Sequence, residues 1–184
     1  MISEIGERRY GALFLLEQIV LCGCLDEKSP MKRILPIIGF VALALFAGYI
    51  SRLLQSSSLE LWYPAVVKSP LTPPDAFFPI VWGVLYILMG VAAGLLWSVR
   101  SIYSRLLFTL FALQLVLNVL WSFCFFFMQS PVMGLVVILF MDMFAFMYVA
   151  GCFMVKRACG WLMMPYVLWL LFATYLNAFI AIVN

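Results

Sequence analysis

Three apolar stretches of this sequence carry aromatic and amide side chains at helical spacing. Gln114, Asn118 and Trp121 follow one another at steps of four and three, and Phe125 extends that face by a turn. Trp82, Tyr86 and Gly90 recur at steps of four, as do Trp169, Ala173 and Asn177, where the alanine leaves room beside the indole. The chemistry on offer is recognition: rings with a few amide anchors suit a flat apolar ligand. Aromatic packing and inter-helix hydrogen bonds would use the same spacing, and periodicity alone leaves both readings open. Catalysis has little to work with. The chain has no histidine, which removes the usual zinc triads, the Ser-His and Cys-His pairs and histidine ligation of haem iron. No metal centre is expected.

The elements that must hold these residues follow from composition. Of 184 residues, 67% are hydrophobic and 10% charged, too few charges to cover a water-facing surface. That excludes a soluble globular enzyme, a disordered chain and a nucleic-acid binder. Five apolar runs reach the roughly 20 residues needed to cross a bilayer: 34–54, 77–97, 106–127, 131–155 and 161–183. Backbone groups in lipid must be satisfied within the segment, so the runs are expected to be helices. The fold class is therefore an all-α membrane protein, a bundle of five transmembrane helices. Lys32, Arg33, Arg100, Arg105, Lys156 and Arg157 fall on one side, against Arg52 and Lys68 on the other. The bias places the start of the first span in the cytoplasm and the C-terminus outside.

Residues 1–30 read as a dispensable N-terminal extension ahead of a domain at 31–184. Their apolar stretch, Ala12 to Leu21, is too short to span and is broken by Glu17, while Met31-Lys32-Arg33 looks like a natural start. Cys22, Cys24, Cys124, Cys152 and Cys159 contain no CxxC pair and read as small hydrophobes. Asp142 is the lone acid within a span. Burying an ionised carboxylate there costs several kcal/mol, so it is expected to be protonated or to face the interior near Tyr86 or Asn118; a proton relay is the functional alternative.

Between the first two spans, 55–76 is long for a connector. Pro64, Pro70, Pro73 and Pro74 stiffen it. Trp62 and Tyr63 favour a membrane interface. The segment reads either as an interfacial linker or as a lid over a pocket between the helices.

These residues together resemble the TspO/MBR family, the tryptophan-rich sensory proteins of bacteria and the mitochondrial translocator protein. The resemblance runs through Trp62-Tyr63, Lys68, Pro73-Pro74 and Phe78-Pro79-Ile80-Val81-Trp82-Gly83-Val84-Leu85-Tyr86. It continues in Gln114 to Asn118 with Trp121 and Phe125-Phe126, and closes in Pro165-Tyr166, Trp169 and Phe172 to Asn177. It covers residues 32 to 184.

The resemblance implies a five-helix bundle, in many members a homodimer, with a pocket beneath the first loop that takes porphyrin or haem. The implied pocket holds Trp82, Tyr86, Asn118, Trp121, Phe126, Trp169, Ala173 and Leu176, and the implied lid Trp62, Tyr63, Lys68, Pro73 and Pro74. No cofactor is required; a porphyrin or haem would be ligand, for sensing, sequestration or transport. Lys68 or Arg52 would meet its carboxylates. Without histidine, iron would need Tyr, Cys or Met, so the macrocycle is the expected point of recognition. Beyond Leu176 the chain lacks the tyrosine and basic residue of the sterol-recognition pattern, so cholesterol is not an expected ligand. A first alternative is a light-dependent porphyrin-degrading enzyme using Trp82 and Trp169. A second is a transporter or channel subunit, although no inverted repeat or broken helix pair is present.

Overall fold

The computed structural model describes residues 30–99 and 101–184. The expectations for residues 1–29, including Cys22 and Cys24, and for Arg100 lie outside the described residues. The helices are α1 (Pro30–Leu61), α2 (Phe77–Trp97), α3 (Ser104–Ser122), α4 (Pro131–Val155) and α5 (Arg157–Val183), and residues 33–184, which take in all of them but the first three residues of α1, form one unit. All five are long and apolar enough to cross a membrane. Leu35, Phe46, Phe140, Phe146 and Leu168 are exposed along them, as a lipid-facing surface requires.

The boundaries of α1, α3 and α5 differ from the sequence reading. The largest shift is in α1, which continues past Leu54 to Leu61 and takes the first third of the expected loop. Serines are weak helix formers because they compete for backbone partners. Here Ser56 Oγ donates within its own helix to the Leu53 carbonyl at 3.0 Å. Ser58 Oγ donates instead to the Phe126 carbonyl of the neighbouring chain segment at 2.6 Å. The helix stops only where Pro64 enters the short 3₁₀ turn Tyr63–Ala65. Three starts also come earlier than expected, the first being α1 at Pro30. α3 starts at Ser104, and α5 begins at Arg157 because Lys156 alone, in extended conformation, makes the turn from α4.

Packing leaves a gap on one side. α4 lies most extensively against α5, α3 against α4 and α2 against α5, whereas α2 and α3 scarcely touch. α1 fills that opening at one end. A Cβ on Gly90 or Gly94 would collide with the backbone of Val41 or Ile37, so the two glycines let α1 and α2 cross at backbone contact. Phe40 then wedges between Trp97, Phe108 and Phe111, with ring centroids 5.5–5.8 Å away. At the other end, nearer the long loop, the space between α1, α2, α3 and α5 stays open.

Cys124, Cys152 and Cys159 are buried free thiols, as small hydrophobes would be. Asp142 is buried, and neither Tyr86 nor Asn118 is its hydrogen-bond partner among the described residues. It sits on α4, where its Oδ2 accepts a hydrogen bond from Thr174 of α5 at 2.8 Å.

Candidate functional site

The open space is a cavity of about 420 Å³, within the range of small-molecule sites. α2 contributes Phe78, Pro79, Trp82, Gly83 and Tyr86, and α5 contributes Ala173, Leu176, Asn177 and Ile180. α3 and its continuation supply Asn118, Trp121, Ser122, Phe125 and Phe126. α1 supplies Leu45, Gly48, Tyr49, Ser51, Arg52, Gln55 and Leu59, and the loop adds Tyr63 and Asp75. α4 supplies none of the lining residues.

The amide anchors are held from behind. Tyr166, fully buried, donates to Gln114 Oε1 at 2.6 Å and accepts from Asn118 Nδ2 at 3.2 Å. Gln114 Nε2 donates to the Met141 carbonyl at 3.0 Å. Asn118 Nδ2 also reaches the Gln114 carbonyl at 2.9 Å, which leaves its Oδ1 turned to the Tyr86 hydroxyl at 3.5 Å. Such a network fixes side chains because each buried polar group has a partner. The cost of an unpartnered amide in an apolar bundle is what keeps these residues inward.

The aromatic wall depends on a local change of helix type. Residues Phe123–Phe127 form a π-helical turn at the end of α3, a feature often found at functional sites. The extra residue per turn brings both Phe125 and Phe126 inside. Trp121 stacks on Phe125 at 5.2 Å and meets Phe126 edge-on at 5.8 Å. Ser58 holds the Phe126 carbonyl from α1.

Of the side chains that the resemblance assigns to a pocket, the cavity brings together Trp82, Tyr86, Asn118, Trp121, Phe126, Ala173 and Leu176. It does not bring Trp169. That indole packs edge-on against Phe78 at 5.9 Å and lies tilted against Phe172 at 5.6 Å, outside the lining.

In the loop, Tyr63 lines the cavity, while Trp62 packs edge-on against Phe125 at 5.7 Å. Lys68 Nζ sits 4.0 Å above the Tyr63 ring and 4.0 Å from Asp75 Oδ1. Burial, with the Asp75 carboxylate nearby, pushes the Tyr63 phenol up to about 12, so it stays neutral at physiological pH. Pro73 and Pro74 lie outside the lining; the Pro74 carbonyl accepts from Phe77 N at 2.8 Å and opens α2. The loop is tied to α5 by Ser69 Oγ with Tyr175 OH at 3.0 Å and by Val67 N to Asn184 Oδ1 at 2.9 Å.

Sequence reasoning missed most of α1. Gly48, Ser51 and Gln55 face the cavity, and only Arg52 had been placed near it. A signal existed: Ser51, Gln55 and Ser58, at steps of four and three, mark one polar face on an apolar helix.

The fold and site define a multi-pass helical membrane protein with an aromatic-walled cavity inside its bundle. The TspO/MBR family model matches residues 40–183, and the chain belongs to that family. It is 35% identical over 150 residues to the tryptophan-rich protein TspO of Chlorobaculum tepidum, covering 79% of this chain and 94% of that protein. With its namesake from Archaeoglobus fulgidus the identity is 32% over 152 residues, covering 83% and 99%. The translocator protein of Bos taurus is 29% identical over 145 residues, covering 77% and 86%.

Proposed function

We propose that this chain binds a tetrapyrrole, porphyrin or haem, in the bundle cavity, for sensing, sequestration or transport. The observation that carries this reading is the wall itself: Trp82, Tyr86, Trp121, Phe125 and Phe126 surround one space of about 420 Å³. Flat ring systems gain from offset and edge-on contacts with such rings. Among usual strong metal ligands the lining offers phenols and the Asp75 carboxylate, which is paired with Lys68, and neither Cys nor Met, so the residues fit the macrocycle better than an iron centre. Saturable quenching of tryptophan fluorescence by micromolar protoporphyrin IX, in purified protein, is the expected result. Absence of quenching would contradict the reading. Porphyrin degradation by a Trp82–Trp169 pair is less well supported, because Trp169 lies off the lining.

The same reading includes an orientation. Arg105, Lys156 and Arg157 cluster at the end of the bundle remote from the loop, and the positive-inside tendency would put that end in the cytoplasm. The cavity would then open on the opposite side. A C-terminal alkaline phosphatase fusion should be active and a C-terminal fluorescent-protein fusion dark.

A further inference from the structure

We propose that Arg52 selects for ligands that carry a carboxylate, so that the cavity takes planar apolar anions in preference to neutral ring systems of the same shape. The inference rests on the tetrapyrrole reading and assigns one residue to its charged end.

Two cations stand near the cavity, and they are not equivalent. Lys68 is already engaged, with its ammonium between the Asp75 carboxylate and the Tyr63 ring, each at 4.0 Å. Asp75, the acid of the lining, would repel a second carboxylate brought to that side. Arg52 lines the cavity and forms no ion pair among the described residues.

Its neighbours on α1 reinforce the contrast. Gln55 Nε2 is spent on Ser122 Oγ at 2.9 Å. Ser51 Oγ is buried in the lining and has no hydrogen-bond partner among the described residues. An arginine on a membrane-spanning helix must find water or a counter-charge. Its guanidinium presents a planar fork of five donors, matched to a carboxylate. A ligand carboxylate would supply the counter-charge that the described chain does not. The ring system then occupies the aromatic part of the same space.

The test compares protoporphyrin IX with its dimethyl ester, which keeps the ring and removes both charges. Each is titrated by tryptophan quenching against wild type, Arg52→Gln, Arg52→Lys and Lys68→Gln. Wild type should bind the acid at least about tenfold more tightly than the ester, as a charge-assisted pair warrants. Arg52→Gln should erase that preference by weakening the acid far more than the ester, with an unchanged Tm reporting an intact fold. Arg52→Lys should restore part of it. Equal affinity of wild type for acid and ester would overturn the inference while leaving the tetrapyrrole reading standing. So would an equal loss for both ligands in Arg52→Gln, or loss of the preference in Lys68→Gln and not in Arg52→Gln. Binding of neither porphyrin by wild type would overturn the reading itself.

Discussion

Asn177 accepts a hydrogen bond from the indole N–H of Trp121 at 2.9 Å. Its own Nδ2 donates to the Pro131 carbonyl at 2.7 Å. One side chain of α5 thus fixes the ring that forms the α3 wall and ties down the first residue of α4. Asn177→Ala orphans an indole N–H and a carbonyl, each costing about 1–3 kcal/mol where buried. Thermal unfolding in detergent should show a clear fall in Tm. An unchanged Tm would mean that the two bonds are not structural.

The legible part of the site was the part where polarity and period coincide. Gln114, Asn118 and Trp121 share a face, and amides in an apolar helix have to turn inward. Their inward placement followed from two physical rules. Depth along a face did not follow. Trp169, Ala173 and Asn177 have the right spacing, yet Phe78 meets the Trp169 ring, and only the other two reach the cavity. The polar residues of α1 were obscured by a boundary: with the helix expected to end at Leu54, Gln55 and Ser58 counted as loop. Asp142 was expected to be protonated or to face the interior near Tyr86 or Asn118, and periodicity could not name its hydrogen-bond partner. Its partner is Thr174.

Ala173 is buried and lines the cavity. Threonine there adds bulk to the open space. Ala173→Thr should keep its Tm and bind porphyrin several-fold more weakly, a tenfold loss corresponding to about 1.4 kcal/mol. A large fall in Tm would instead mark Ala173 as a packing residue, with overpacking costing about 1–3 kcal/mol.

The glycines of the α1–α2 crossing make a paired test. A Cβ at Gly94 would strike the Ile37 backbone, whereas one at Gly39 meets nothing within 4 Å. Gly94→Ala should destabilise the bundle by about 1–3 kcal/mol. Gly39→Ala should be neutral or stabilising by up to about 1 kcal/mol through helix propensity. Equal melting of the two variants would contradict the backbone contact.

The loop is fastened where Ser69 meets the Tyr175 hydroxyl at 3.0 Å. Tyr175→Phe deletes that bond at an exposed position. Stability should change by no more than about 1 kcal/mol, while porphyrin dissociation, followed by stopped-flow fluorescence, should quicken. An unchanged dissociation rate would mean that this tether does not restrain a lid.

Gly83 offers the most direct test of the cavity as the binding site. It lines the space, and a Cβ built on it meets nothing within 4 Å. A leucine there starts from an unobstructed Cβ at the cavity wall and takes up volume that the ligand would use. Titration of wild type with protoporphyrin IX should saturate at one molecule per chain. Gly83→Leu should melt as wild type does and lose at least about tenfold in affinity. A Gly83→Leu protein that binds porphyrin as wild type does would contradict the account.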